Sequence, residues 1–192
     1  MHFVAGTAAQ LKPPLMTSLA QYRHKVFVET LGWQLQVQNG QELDQFDRDD
    51  TVYVVALDET RKIIGAARLL CSTKPYLLGE VFPQLMHGLA LPCCTEVWEL
   101  SRFAAVDFSA AAVSPLAQFS SPVAVALLKE SLRHAVSLGA KQLITVSPLG
   151  VERLLRKAGF QAQRAGPPQL INGSPVFVCW IDTQQVAELA VS

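Results

Sequence analysis

The sequence predicts an α/β fold, a three-layer αβα sandwich around a mixed sheet, built as one domain over residues 1–192. Three observations carry that expectation. Strand-like and helix-like runs alternate along the chain instead of collecting into blocks. Turn signals separate them, and no internal repeat or low-complexity segment interrupts the order. Half of the 192 residues are hydrophobic, enough for one sizeable core.

The elements follow in chain order. Thr17 or Ser18 suits a helix cap, with Leu19, Tyr22 and Val26 forming one apolar stripe up to about Leu31, where Gly32 is a stop signal. Residues 34–50 turn polar and acidic and read as an exposed loop. Residues 51–57 and 62–70 are β-branched and apolar, a hairpin joined across Asp58-Glu59-Thr60-Arg61. Pro75, Pro83 and Pro92 break up residues 71–95, leaving a short helical piece around 81–87. Residues 96–106 read as a central strand and 107–120 as a loop. Ser121-Pro122 starts a helix that runs to about Leu138 and ends at Gly139. Residues 142–147 form a short buried strand, 151–158 a helix closed by Gly159, and 176–182 a returning strand.

Composition narrows the functional classes. Lys+Arg and Asp+Glu balance at 16 each, which gives no electrostatic case for nucleic acid. No apolar run reaches the roughly 18 residues of a membrane span, and the N-terminus lacks the basic start and clean apolar stretch of a secretory signal. Cys71, Cys93, Cys94 and Cys179 have no zinc-type spacing and the four histidines are scattered. Free thiols in a reducing cytoplasm are the expectation, with no metal site.

Between residues 23 and 102 lies a set of charged and aromatic residues that a plain core does not need. It comprises Arg23 and Phe27 on the first helix, then Trp33, then Glu42-Leu43-Asp44-Gln45-Phe46-Asp47 in the acidic loop. Arg68 interrupts the apolar IIGAARLL, and Glu99 and Arg102 sit inside VWELSRFAAV. A charge in a buried strand needs a partner, and Asp44 and Asp47 can supply anions. On the residues alone this is either a functional charged cluster or a structural ion-pair network, since both perturb charges alike.

The order and spacing of this set resemble the LuxI-type autoinducer synthases, which make acyl-homoserine lactones. The matching pattern is Arg-x-x-x-Phe, a Trp six residues on, Glu-x-Asp-x-x-Asp, a lone strand Arg, a Phe in the middle connection (Phe82) and Glu-x-Ser-Arg-Phe. The motifs cover about the first 105 residues, and the second half is similar only in outline. The resemblance implies a fold like that of the GNAT acyltransferases. It also implies a two-step reaction, in which the amine of S-adenosylmethionine attacks a fatty-acyl thioester and the methionine carboxylate then displaces the sulfonium. The products are the lactone signal used in quorum sensing and methylthioadenosine. S-adenosylmethionine is a substrate, and no metal or redox cofactor is required.

Roles follow from that chemistry. Glu99 is the candidate base for the attacking amine. Asp44 and Asp47 suit the cationic parts of S-adenosylmethionine, while Arg68 and Arg102 suit its carboxylate and hold the acidic side chains. Arg23, Phe27 and Trp33 form an expected lid, with Phe82, Ser101 and Phe103 as further substrate contacts. Strict alternation would put Glu99 and Arg102 on opposite faces of a strand, so an irregularity is expected between Glu99 and Phe103. Trp98, Leu100, Met86, Thr145, Val146, Leu149 and Leu155 are the candidate acyl pocket, each also an ordinary core residue. Thr145 matches a position where some family members recognise a 3-oxo group. The implied donor is acyl carrier protein, a small acidic partner, for which Arg153, Arg156 and Lys157 offer one basic helix face or simply a solvated one. Two rivals remain: a GNAT-type acyltransferase using acyl-CoA, and a non-catalytic binding protein. The first expects a glycine-rich phosphate loop before the long helix, where the chain reads Phe119-Ser120-Ser121-Pro122-Val123.

Overall fold

The structure, a computed structural model, describes residues 1–109 and 121–184. Strand β1 (His2–Thr7) leads into helix α1 (Pro13–Arg23), which continues as a π-helical segment, His24–Thr30. Two short strands follow, β2 (Val37–Gln38) and β3 (Gln41–Glu42), then β4 (Val52–Leu57), β5 (Ile63–Cys71) and helix α2 (Leu77–Val81). A 3₁₀ turn (Pro83–Met86) precedes β6 (Val97–Ala104). The second half is α3 (Pro122–Ser137), β7 (Gln142–Pro148), α4 (Gly150–Ala158), β8 (Ala162–Arg164), β9 (Gln169–Ile171) and β10 (Ser174–Asp182). Of the loop expected over 107–120, residues 110–120 lie outside the described residues, as do Phe119 and Ser120 of the segment weighed as a phosphate loop.

The main sheet runs β1-β4-β5-β6-β7-β10-β8, with β9 also paired to β10. It is mixed: β6 and β7 are parallel, and the other recorded pairs in it are antiparallel. On one face, Val52, Val54, Leu69, Leu100, Leu143 and Phe177 meet Leu127, Leu128 and Leu132 of α3 and Leu154 and Leu155 of α4. The opposite face carries Tyr53, Val55 and Ala66 against Leu19, Tyr22, Val26 and Phe27, with a third cluster around Leu78, Leu85 and Met86. These are the three expected layers.

Local signals explain most of the elements. Ser121 accepts the Ala124 N–H at 3.1 Å and caps α3, and Pro122 occupies its first turn. Gly159, at φ +88°, ends α4 in the left-handed conformation. A Cβ on Gly65 would lie 3.2 Å from Leu127 and 3.3 Å from the Ala104 carbonyl, so the small residue lets α3 approach β5 closely.

Several boundaries differ from the sequence reading. Helix α1 begins at Pro13, earlier than Thr17 or Ser18, because proline suits the first helical turn and Lys12 takes the cap position. The short helix is α2 and starts at Leu77; the expected 81–87 piece survives only as the 3₁₀ turn after it. Strands β1, β8 and β9 carry weak local patterns and exist through pairing with β4 and β10. The acidic segment 34–50 is not wholly exposed either, since Glu42 and Phe46 are fully buried.

Candidate functional site

The site grows from an irregularity in β6. Against β5, Leu70 pairs with Glu99, Leu69 with Leu100 and Arg68 with Ser101, but the next partners are Ala66 and Ala104. Arg102 and Phe103 therefore oppose the single residue Ala67, a β-bulge. Arg102 takes up the extra residue at φ +48°, a conformation uncommon outside glycine. The bulge brings the Arg102 guanidinium onto the same face as Glu99 and Ser101, while Phe103 packs against the α3 side. The expected irregularity is present, and it removes the conflict between Glu99 and Arg102.

On that face three arginines and three carboxylates interlock. Arg23 donates from Nε to Glu42 at 2.6 Å and grips Asp47 with both terminal nitrogens, at 2.6 and 3.0 Å. Arg68 reaches Asp44 at 2.6 Å, Asp47 at 3.1 Å and the Ser101 hydroxyl at 3.0 Å. Arg102 closes the ring on Glu42 at 2.9 Å and Asp44 at 2.8 Å. The Tyr53 hydroxyl donates to Asp47 at 2.6 Å. Formal charges cancel within the set, the condition for keeping six ionised groups out of water. Burial alone would push the Asp47 carboxyl up, but Arg23, Arg68 and Tyr53 outweigh it and hold it far below the usual carboxylate range. Glu42 is lowered for the same reason, by Arg23 and Arg102 acting against burial.

Two features leave the network open to a ligand. Its most accessible side chains are Asp44, 13 % exposed, and Arg102, 7 %, whereas Arg68 is fully enclosed. Arg68 Nη2 is nevertheless buried without an acceptor among the described residues. Above the edge, Trp33 stacks on Phe27 at 5.0 Å and 23°, and the Arg102 guanidinium lies 5.7 Å from the other partner of that stack, Phe27. Trp33 is 44 % exposed. The π-helical segment sets this arrangement: its wider turn buries Val26 and Phe27 side by side, and the Trp33 N–H bonds back to the Phe27 carbonyl at 2.9 Å.

Glu99 is held differently. Its carboxylate accepts the backbone N–H of Leu77 at 2.9 Å and of Leu78 at 2.7 Å, at the start of α2, and no arginine bonds it directly. Complete burial pushes the carboxyl up to about 7, with the two N–H groups and the nearby Arg68 and Arg102 charges pulling the other way. Such a group exchanges a proton readily near neutrality. Beside it the sheet opens: β6 and β7 pair with each other only from Val97↔Gln142 to Glu99↔Ile144, and then each runs on, β6 to Ala104 and β7 to Pro148, paired on its far side alone.

The structure redistributes several expected site residues. Arg23 is no lid residue; its side chain is buried and spent on Glu42 and Asp47. Asp47 is likewise enclosed and saturated by partners, which leaves Asp44 as the acid at the edge. Phe103 faces the α3 core because the bulge turns it away from Arg102. Phe82, half-buried, packs in the cluster under α2, and Ser101 serves as acceptor for Arg68. The acyl set is not gathered in one pocket. Met86 and Val146 lie on the α2 face, whereas Trp98, Leu100, Leu155 and Thr145, the cross-strand partner of Cys179, lie on the α3 face. Leu149 is 43 % exposed at the start of α4, too open to line an apolar tunnel. Arg153, Arg156 and Lys157 all fall on the exposed face of α4. Glu42, Tyr53 and the Leu77 and Leu78 amides escaped assignment from sequence. The repeated acid of Glu42-Leu43-Asp44 was the available signal for the first; backbone amides leave none.

Comparison with known proteins shows the family and the fold. The autoinducer synthase profile matches residues 11–191. An acyl-homoserine-lactone synthase of Acinetobacter nosocomialis is 56 % identical over 182 residues, covering 95 % of this chain and 100 % of the relative. Among solved structures, TofI in a ternary complex with an inhibitor and MTA superposes with a TM-score of 0.84 at 42 % identity, over 99 % of this chain and 97 % of that one. BjaI, a CoA-dependent acyl-homoserine lactone synthase with SAM and isopentyl-CoA, reaches the same TM-score at 26 % identity, over 96 % and 85 % of the two chains. An acyl-CoA N-acyltransferase from Pseudomonas aeruginosa shares the fold alone, at a TM-score of 0.64 and 16 % identity over 93 % of this chain and 97 % of that one. With its α/β sandwich, bulged central strand and interlocked charges, the chain belongs to the autoinducer synthase family of acyl-homoserine-lactone synthases.

Proposed function

We propose that Glu99 is the base that readies the amine of S-adenosylmethionine for acyl transfer. The observation that carries this is a fully buried carboxyl near neutrality, beside an opening in the sheet and on the same face as the arginine–carboxylate network. The amine nitrogen attacks the thioester carbon, an amide bond forms, the C–S bond breaks and the thiol leaves, while the amine proton passes to Glu99 directly or through water. The methionine carboxylate oxygen then attacks its own γ-carbon and breaks the bond to the sulfonium, closing the lactone and releasing methylthioadenosine. Arg102, at the accessible edge, and the acceptor-free Nη2 of Arg68 hold that carboxylate. Asp44 faces the cationic parts, and the Trp33–Phe27 stack covers the adenosyl and sulfonium end. Neither step needs a metal or redox cofactor.

The donor in this reading is a fatty acyl group on acyl carrier protein, docked through Arg153, Arg156 and Lys157 of α4, with the chain entering the opening between β6 and β7, between Leu100 on the α3 face and Val146 on the α2 face. Both substrates belong to the cytoplasm, which suits four free cysteines. Among the described residues no helix is long and apolar enough to cross a membrane. Purified protein with S-adenosylmethionine and either acyl carrier protein or CoA thioesters tests the reading, with lactones identified by mass spectrometry. The expected product forms faster from the carrier-protein donor, and Glu99→Gln abolishes it. A Glu99→Gln variant with full activity removes the base assignment, and equal rates from CoA remove the carrier preference.

A further inference from the structure

Two separate chain segments build the site. One, residues 42–47, carries the acids of the ion network; the other, residues 75–78, delivers the amides that hold Glu99. Both are short, one leaving β3 and the other entering α2, and among the described residues no sheet ladder joins them to set their spacing. Phe46 of the first shares an apolar cluster with Tyr76 and Leu78 of the second, and the polar tie between them is Arg48, directly after Asp47. Its Nη1 donates to the Pro75 carbonyl at 2.8 Å, two residues before the first amide on Glu99. Its Nε bonds Asp50 at 3.2 Å, and Asp50 in turn pairs with Lys74 at 2.9 Å. The near end of the clamp is fixed as well: the Arg48 N–H donates to the Thr51 hydroxyl at 3.0 Å, and that hydroxyl donates to the Phe46 carbonyl at 2.6 Å. Substrate binding needs the first segment, proton transfer the second, and Arg48 is tied to both.

We propose that Arg48, oriented by Asp50, is a positioning residue that aligns the start of α2 on the Glu99 carboxylate and couples it to the Asp44–Asp47 segment. The inference rests on the reading of Glu99 as the base. Groups facing Glu99 are the Leu77 and Leu78 amides from α2, Arg68 from β5, Arg102 from β6 and Tyr76 at the cap of α2. Of these, the amides are the ones that Arg48 governs through Pro75. Both amides favour the ionised carboxylate, so slackening them makes Glu99 harder to deprotonate.

The test compares kcat against pH at saturating substrates for wild type, Arg48→Met, Arg48→Lys and Glu99→Gln. Arg48→Met keeps the stem and removes the donors. Its kcat at neutral pH is expected to fall about tenfold, the effect of one hydrogen bond from a charged donor, and its acid limb moves to higher pH. Arg48→Lys, which still offers a cationic donor to Pro75, restores most of both. Asp50→Asn, at an exposed position, gives a smaller movement in the same direction and serves if Arg48→Met folds poorly. An acid limb that stays at the wild-type position in the Arg48 and Asp50 variants, with Glu99→Gln inactive, overturns this inference alone. A fully active Glu99→Gln instead overturns the base reading and the inference with it.

Discussion

Replacing Glu99 by glutamine removes a carboxyl that the fold keeps away from water and from any directly bonded cation. In the folded chain this group titrates near 7, against an ordinary value of 4.5, with burial the largest cause. A buried acid raised in this way favours folding while it stays protonated. Its contribution is fully present below about pH 4.5 and is lost as the pH rises through about 7. The gap, at about 1.4 kcal/mol per pH unit, amounts to about 3 kcal/mol of stability lost by wild type across that window. Glutamine has nearly the same shape but does not titrate. Its NH2 must face one of two backbone donors, a constant penalty of about 1–3 kcal/mol. The signature is therefore a slope, not a level. Urea unfolding followed by tryptophan fluorescence at pH 5 to 8.5 should show the wild-type-minus-variant stability falling up to about pH 7 and levelling off above it. His134, lowered by its own burial and by Arg133, tilts both proteins equally and cancels in the difference. A difference that stays flat across this range would refute the reasoning, because it would mean that Glu99 is ionised throughout.

The remaining predictions concern the network, the lid and the donor. Glu42→Gln leaves three buried arginines facing two acids and should cost about 3–5 kcal/mol in chemical denaturation; a loss below about 1 kcal/mol would mean that water already reaches the network. Trp33→Ala removes an exposed aromatic face and should raise KM for S-adenosylmethionine about two- to thirtyfold, the range of a cation–π contact, with kcat less affected; initial-rate kinetics decide, and an unchanged KM excludes the lid role. Reversing Arg153, Arg156 and Lys157 to glutamate should slow turnover with acyl carrier protein in a salt-sensitive way while sparing CoA donors. Equal losses with both donors would point to damage in α4 packing instead of docking.

By itself the sequence determined the elements whose cause is local: the β4–β5 hairpin, the Ser121-Pro122 start of α3 and the glycine stops at 139 and 159. It also determined which charged residues needed partners, because an arginine in IIGAARLL cannot be left alone in a strand. The irregularity in β6 was legible too, since Glu99 and Arg102 conflict under a two-residue period. Tertiary structure decided who pairs with whom. Arg23 could be read as a lid or a strut, and only contact with Glu42 and Asp47, 19 and 24 residues away, makes it a strut. Arg102 finds Glu42 across 60 residues, a contact set by the bulge register and not by either residue's neighbours. Glu99 owes its state to backbone amides, which every residue but proline possesses and which no pattern marks. The acyl residues divide between two faces for the same reason. Propensity acts over a few neighbours, whereas the face a side chain occupies is fixed by pairing between strands distant in sequence.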